Sequence, residues 1–210
     1  MWVWPLGGGF PAAAASRLTG GQVPTTEPNT NLIDVIIEDH RAVDGVFAEL
    51  ETGSASAERR SQLAEHAIAE LVRHSVAEEQ FMYPAIRERL TNGDEIADHE
   101  IEEHSQAERV MKDLQGREPT DPKFDQLLRE LIKDVRHHVE EEEWDILPRL
   151  RAACAADELH DLGDKVLRAK QIAPTRPHPA APDRLPANLI LDPGAGLIDK
   201  IRDGLSHRSV

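Results

Sequence analysis

The sequence predicts an all-α protein, an antiparallel up-down four-helix bundle. Apolar residues recur every three to four positions through the middle of the chain, which is the period of an amphipathic helix. No stretch alternates with the period of two that a half-buried strand requires. The connections between the periodic stretches are short, and short connections favour antiparallel neighbours.

The first two helices follow from their apolar spacing. The first covers about residues 31–50, and the second covers about residues 57–90, after serines at 54 and 56 that serve as caps. The apolar stripes are Ile33, Ile36, Val43, Phe47 and Leu50 in the first helix and Leu63, Ala67, Leu71, Phe81 and Ala85 in the second.

Two more long helices complete the predicted bundle. The third begins after a turn at residues 92–94 and ends before Gly116, and the fourth covers about residues 121–150. Their stripes are Ile96, Ala107, Met111 and Leu114 in the third and Phe124, Leu127, Leu131, Val135, Ile146 and Leu150 in the fourth. We expect Trp144 to pack within the bundle.

The ends of the chain differ from its middle, so we divide it into four parts. Residues 29–155 form the predicted bundle, and residues 156–170 form a short accessory helix on its outside. Residues 1–28 are expected to be a disordered leader, because Pro5 and a run of glycines break its apolar stretch and no secretory signal is evident. Residues 171–210 form a Pro-rich tail, since prolines at this density favour extended chain.

Composition excludes several classes of protein. Lys and Arg number 24 against 39 Asp and Glu, a net charge of −15 that repels phosphate backbones, so no nucleic-acid partner is expected. No apolar run approaches the ~18 residues of a membrane span. The single cysteine, Cys154, can form neither an internal disulfide nor a thiolate zinc site. We therefore expect a cytoplasmic protein.

Histidines and glutamates interrupt the apolar stripe near the middle of each predicted helix. Burying such groups without partners costs several kcal/mol, so they require one another or a cation. These residues are His40 in the first helix, His74 and Glu78 in the second, Glu100 and His104 in the third, and His138 and Glu142 in the fourth.

An internal repeat distinguishes two of these pairs from ordinary surface pairs. Eight of the ten histidines have an acidic residue four positions later, so that spacing alone is weak evidence. The segments HSVAEEQFMYP (74–84) and HVEEEEWDILP (138–148), however, share a histidine, two glutamates and a proline at matching positions. The repeat predicts two equivalent helices facing each other, with Pro84 and Pro148 bending them beyond the site.

These motifs resemble the hemerythrin, or HHE cation-binding, family. The resemblance rests on His40, HSVAEE, His104, HVEEEE and the trailing YPAIRERL and LPRLR, and it covers residues 29–155. It implies an antiparallel four-helix bundle that holds a non-haem di-iron centre. In that arrangement His74 and His138 each ligate one iron, Glu78 and Glu142 bridge the pair, and His40 and His104 complete the two ends.

Three further residues are candidate ligands because the chain departs from the family's animal oxygen carriers. Those carriers place two histidines four apart on the third helix, whereas this chain has Glu100 four positions before His104, and His99 lies one step off the stripe. The carriers also space the fourth-helix carboxylate five from the histidine, so Glu143 competes with Glu142. The first departure disfavours reversible oxygen carriage.

The donor types independently favour iron, zinc or manganese, because imidazole and carboxylate suit these metals. A ferritin-like di-iron bundle requires Glu-x-x-His elements, and none of the ten histidines has Glu three residues before it. Three function classes stay open. The first is a di-iron protein reacting with oxygen, peroxide or nitric oxide in oxidative or nitrosative stress, including catalase-like consumption of peroxide. The second is an oxygen- or iron-binding or sensing module without turnover, and the third is a metal-free polar network.

Overall fold

The computed structural model describes residues 31–177, and every regular element in that range is helical. The predicted leader (1–28) lies outside the described residues, as does the predicted tail from residue 178 onward. The helices are α1 (Leu32–Glu51), α2 (Ala57–Ala77), α3 (Tyr83–Arg89), α4 (Gly93–Leu114), α5 (Pro122–Glu141), α6 (Leu147–Ala153) and α7 (Ala156–Ile172). Two π-helical turns, Glu78–Met82 and Glu142–Ile146, join α2 to α3 and α5 to α6.

Side-chain caps define where three of the long helices begin. Asn31 accepts a hydrogen bond from the backbone N–H of Ile33 at the start of α1, and Ser56 does the same for Arg59 in α2. Asp121 accepts from Lys123, with Pro122 as the first residue of α5. Each cap satisfies a backbone donor that has no partner within its own helix.

Two apolar cores occupy opposite ends of the bundle. The first core contains Leu32, Ile33, Ile36, Phe81, Met82, Ile86, Ala97, Leu147 and Leu150. The second core contains Val43, Phe47, Leu63, Ile68, Leu71, Met111, Leu114, Phe124, Leu131 and Val135. Helices α1 and α4 run from the first core to the second, whereas α2 and α5 run from the second core to the first. This order confirms the predicted antiparallel up-down bundle.

Helix α7 packs against α1 and α2. Its buried face consists of Leu159, Val166 and Ala169, which join the first core. In the described part of the chain, no helix combines the length and apolar character needed to cross a bilayer.

The two π-helical turns occupy equivalent places in the internal repeat. The backbone N–H of Tyr83 bonds to the carbonyl of Glu78, and that of Leu147 bonds to the carbonyl of Glu142, five residues back in each case. A proline follows directly after Tyr83 and after Leu147. Because a proline ring clashes with the carbonyl four residues before it, the wider turn accommodates Pro84 and Pro148 without ending the helix.

The expectation that Trp144 packs within the bundle is wrong. Its side chain is 81% exposed. Trp144 follows Glu142 by two residues, a step of nearly half a helical turn that places it on the opposite face of the helix. Because Glu142 faces inward, Trp144 faces outward.

Gly93 begins α4 at a point where the chain passes close to α3. A Cβ at this position would lie 2.8 Å from the Cα of Arg87 and closer still to the backbone oxygen of Ile86. We expect Gly93→Ala to lower the free energy of unfolding by about 1–3 kcal/mol, because backbone must move. Gly45, in the exposed face of α1, has nothing within 4 Å of such a Cβ.

The matched control for this prediction is therefore Gly45→Ala. It is expected to raise the free energy of unfolding by about 0.5–1 kcal/mol, since alanine favours the helix. Denaturant unfolding of both variants checks the pair. Equal effects of the same sign would contradict the close approach at Gly93.

Candidate metal centre

A layer of polar side chains separates the two apolar cores. We call His40, His74, Glu78, His104, His138 and Glu142 the inner ligand set. All six are buried, and Glu78 and Glu142 are completely so. Helices α1, α2, α4 and α5 each supply one of the histidines, and the glutamates are the first residues of the two π-helical turns.

The histidines form two pairs, with the glutamates between them. The ring centroids are 5.0 Å apart for His40 and His74, and 4.8 Å apart for His104 and His138. Glu78 Oε2 lies 3.1 Å from His74 Nε2 and 3.4 Å from His104 Nε2. Glu78 therefore contacts one histidine of each pair, and Glu142 does the same.

Glu142 uses a different oxygen for each contact. Its Oε2 lies 3.3 Å from His40 Nε2, and its Oε1 lies 3.7 Å from His138 Nε2. One group of four ligand atoms that could hold a metal ion comes from His40, His74, Glu78 and Glu142, and another comes from Glu78, His104 and His138. The two groups share Glu78. This arrangement can hold two adjacent cations.

Four further carboxylates face the outer nitrogens of the histidines, one for each ring. We call Asp39, Glu79, Glu103 and Glu143 the outer carboxylates. The distances from Nδ1 are 2.9 Å for His40 to Glu143, 3.4 Å for His74 to Asp39, 3.0 Å for His104 to Glu79 and 3.0 Å for His138 to Glu103. Each pair joins two different helical segments, and together they close a ring around the bundle.

The outer carboxylates determine which nitrogen of each histidine carries the proton. An ionised carboxylate can only accept a hydrogen bond, so the facing Nδ1 must donate. In the neutral imidazole, Nε2 then keeps its lone pair and points at the glutamates of the inner ligand set. This is the tautomer that a metal ion requires from a histidine bound through Nε2.

Several inward-facing atoms have no hydrogen-bond partner among the described residues. They are His40 Nε2, both carboxylate oxygens of Glu78, and Glu142 Oε2. Buried carboxylate oxygens without partners cost several kcal/mol. Cations placed among these atoms would remove that cost, so the donor set fits a metal centre.

Charges within the inner ligand set shift the pKa values of its members in opposite directions. Burial raises the pKa of Glu142, but the imidazoles of His138 and His40 outweigh burial and lower it to about 2. Burial lowers the pKa of His104, but contacts with Glu78 and Glu79 raise it to about 9. Without metal, protons on histidines therefore balance the buried carboxylates.

The three additional candidate ligands occupy different positions. Glu143 faces His40 Nδ1 and accepts hydrogen bonds from Arg41, so it is an outer carboxylate. Glu100 is buried, with Oε2 3.0 Å from His138 Nδ1, and it forms a third potential metal group with His138 and Glu142. His99 is exposed and lies 3.4 Å from Glu141, away from the inner ligand set.

Tyr83, which the sequence reasoning missed, is fully buried at the centre. Its hydroxyl lies 3.0 Å from His104 Nε2 and donates to Glu142 Oε1 at 3.2 Å. Burial raises its pKa well above the ordinary value, so the hydroxyl stays protonated. Its place in the repeat, one residue before Pro84, was the available signal, because the second copy has Leu147 there.

A cavity of about 480 Å³ opens onto the centre. The histidines of the inner ligand set line it together with apolar side chains, which include Val43, Phe47, Leu71, Met111 and Val135. A small molecule therefore has space to reach the histidines.

Comparisons with known proteins agree with this geometry. The family model of the hemerythrin HHE cation-binding domain matches residues 31–150. A hemerythrin-like protein of Schizosaccharomyces pombe is 28% identical over 83% of this chain and 86% of its own length. A DNA nickase of Nostoc is 26% identical over 77% of this chain, which spans only 44% of that protein.

A solved structure has the same fold. The hemerythrin HHE cation-binding domain-containing protein of Mycobacterium kansasii matches with a TM-score of 0.58 and 22% identity, over 67% of this chain and 85% of that one. The family model covers more than half of the chain, in the region that contributes all six members of the inner ligand set. The chain belongs to the hemerythrin HHE cation-binding family.

Proposed function

We propose that the chain is a non-haem di-iron protein that reacts with oxygen, peroxide or nitric oxide and handles oxidative or nitrosative stress. The observation that carries this proposal is the pair of overlapping ligand groups, which share a completely buried glutamate whose oxygens have no hydrogen-bond partner. His40 and His74 would hold one iron, His104 and His138 the other, and Glu78 and Glu142 would bridge them.

The donor types are compatible with iron. Imidazole and carboxylate together suit iron, and no sulfur ligand belongs to the inner ligand set. Six protein ligands leave open positions on two metals that each prefer about six. Zinc or manganese would occupy the same atoms, so metal content must be measured on protein purified without added metal.

A bound pair of irons would supply redox chemistry and open coordination positions for a small ligand. The chain's own residues supply the surroundings. The cavity admits small molecules to the histidines, and apolar walls at Phe47 and Met111 limit the water beside them. Tyr83 holds a proton beside Glu142. Glu100 adds a carboxylate on α4, which favours the oxidised metals and therefore reaction with peroxide over reversible oxygen carriage.

Iron content and peroxide consumption together test this proposal. We expect about two irons per chain and disproportionation of hydrogen peroxide to water and oxygen over many turnovers, faster than with an equal amount of free iron. The diferrous protein should be oxidised irreversibly by air. Two irons with a reversible oxygen spectrum and no peroxide turnover would instead support a binding or sensing module. Protein without metal would contradict both.

The proton balance of the centre predicts different pH responses for the metal-free and the metal-loaded protein. The pKa of His104 is raised from 6.5 to about 9 in the metal-free protein. The stabilisation of about 3 kcal/mol that this shift represents is complete below pH 6.5 and is lost as the pH rises through about 9. Metal-free protein should therefore be less stable at pH 9 than at pH 6.5.

The metal-loaded protein should not show this loss, because the metals replace the protons. Binding should also release protons at pH 7 and become tighter as the pH rises. Denaturant unfolding of both forms at the two pH values, together with proton release measured in weakly buffered solution, checks these expectations. Metal-free protein that is equally stable at both pH values would contradict the assignment of the proton to His104.

The activity in the name of the Nostoc relative is not proposed for this chain. The chain spans 44% of that protein, and its net charge of −15 opposes binding to phosphate backbones. A cytoplasmic location and the absence of a nucleic-acid partner stay predictions from the sequence.

A further inference from the structure

A second group of metal-ligating side chains lies at the surface beside the inner ligand set. It consists of His99 and Glu103 on α4 and Glu141 at the end of α5, with Glu100 as its buried member. One ligand atom from each of the four lies within 4.8 Å of the others. His99 Nε2 is 3.4 Å from Glu141 Oε2 and 3.8 Å from Glu103 Oε1. We call these four residues the surface group.

Glu100 provides an independent indication that this group takes a cation. This residue is buried, and its Oε2 lies 3.0 Å from His138 Nδ1. That nitrogen carries one hydrogen, which it donates to Glu103 Oε2 at 3.0 Å. Glu100 Oε2 is therefore a buried acceptor without a hydrogen bond. Buried acceptors of this kind require an explanation, and a cation is the one that the neighbouring ligands suggest.

An ordinary surface ion pair does not explain the surface group. A single exposed pair of histidine and glutamate would contribute little and would need no third partner. Here three carboxylates converge on one imidazole. These carboxylates repel one another, and a cation bound among them would remove that repulsion. A divalent ion offsets more of this charge than a proton does, and one imidazole with three carboxylates suits a first-row transition metal.

The surface group is continuous with the metal centre. Glu100 also belongs to the potential metal group that contains His138 and Glu142. Side-chain exposure decreases along this series, from 59% for His99 and 41% for Glu141 to 19% for Glu103 and 2% for Glu100. An ion that moved from His99 towards Glu100 would exchange water for protein ligands step by step. The cost of dehydration would therefore be divided over several steps.

We propose that the surface group is a separate binding site for a divalent first-row transition-metal ion, and that Glu100 passes the ion from there to His138 and the inner ligand set. The binding site is independent of the proposed di-iron function, whereas the transfer rests on it. No electron or covalent bond changes in this step, since only ligands and water exchange on the ion.

Zinc binding to the full-length chain tests the site. Equilibrium dialysis counts the ions bound by the wild type and by the double variant His99→Ala/Glu141→Gln, which spares the inner ligand set. We expect the variant to bind one Zn²⁺ fewer per chain. The matched control is Glu65→Gln/His66→Ala, an exposed pair on α2 that should bind as many ions as the wild type. Equal counts in the wild type and in the surface variant would overturn the site.

This count stays informative if the inner ligand set takes no metal. The expected numbers are then one ion for the wild type and none for the variant, instead of three and two. Failure of the proposed function and failure of the surface site therefore give different results.

The rate of Fe²⁺ uptake tests the transfer. Metal-free protein withdraws Fe²⁺ from a coloured chelator without oxygen, and the loss of colour gives the rate. We expect uptake by His99→Ala/Glu141→Gln to be about ten-fold slower, with the same final iron in the inner ligand set. An unchanged rate would overturn the transfer. Reduced final iron there would show that these residues belong to the centre itself and would also overturn it.

Discussion

Replacing His74 or His138 with alanine is expected to empty the centre and to lower the thermal midpoint of the protein. Each imidazole directs Nε2 at a glutamate of the inner ligand set, Glu78 for His74 and Glu142 for His138. Because the glutamates lie between both histidine pairs, loss of one imidazole weakens both metal positions. We expect the iron content to fall from about two to below one per chain.

The thermal effect follows from the loss of bound metal. A ligand present at a thousand times its dissociation constant stabilises the folded state by about 4 kcal/mol. For a chain of this size that corresponds to roughly 10 °C in the thermal midpoint. Calorimetry and iron analysis of the same preparations check the two effects together, and melting of the metal-free forms separates the loss of metal from the loss of packing.

The control is His137→Ala, next in sequence to His138 but exposed at the surface of α5. It should keep both the iron and the thermal midpoint of the wild type. His66→Ala, on the exposed face of α2, should do the same. If these variants lost as much iron as His74→Ala, the loss would not depend on the inner ligand set.

The fold was predictable because burial in a helical bundle repeats with the period of the helix. Apolar stripes such as Ile33, Ile36, Val43 and Phe47 reported directly which face of α1 is inside. Polar residues within such a stripe were equally visible, which is why His40 and His104 could be singled out. A stripe shows that a residue faces inward, but the distance to its partners depends on how the helices pack.

The outer carboxylates could not be predicted from that pattern, because each one acts on a histidine of another helix. Asp39 faces His74, and Glu103 faces His138, through contacts that span 35 residues in each case. A local signal was nevertheless present. Every outer carboxylate is adjacent in sequence to a member of the inner ligand set, as in Asp39-His40 and Glu78-Glu79. In a chain with 39 acidic residues such neighbours are too common to be informative alone.

The π-helical turns show a different limit of periodic reasoning. The repeat and its prolines predicted a bend beyond each site, and the structure has a wider helical turn at that point. Glu78 and Gln80–Tyr83 are all buried, because α7 also packs against this segment, whereas only Glu142 and Ile146 are buried in the second turn. Tyr83 reaches the centre from this segment, so its role depended on a local geometry that the apolar period does not contain.

Two of the outer carboxylates are themselves paired with basic side chains. Asp39 forms an ion pair with Lys170 of α7, and Glu143 accepts two hydrogen bonds from Arg41. These two carboxylates face the histidine pair formed by His40 and His74. The packing of α7 on the bundle thus extends the hydrogen-bonded surroundings of one proposed metal position beyond residues 31–150, the region that the family model covers.

Conversion of single outer carboxylates to amides is expected to weaken metal binding by about 10–100-fold per substitution. The variants are Asp39→Asn, Glu79→Gln, Glu103→Gln and Glu143→Gln. An amide keeps the shape of the side chain but removes the charge that supports the imidazole. It can also present its NH₂ group to Nδ1, which would favour the tautomer with the proton on Nε2 and block the lone pair that the metal needs.

Competition with a chelator of known affinity measures these losses, and neighbouring exposed carboxylates provide matched controls. Glu38→Gln lies beside Asp39, and Glu102→Gln lies beside Glu103, but neither residue faces a histidine of the inner ligand set. Both should bind metal as the wild type does, because a charge on the surface is screened by solvent. A visible spectrum that shifts only in the outer-carboxylate variants would identify an effect on the ligands themselves. Equal affinity in Glu103→Gln and Glu102→Gln would show that the contact with His138 Nδ1 does not support the metal.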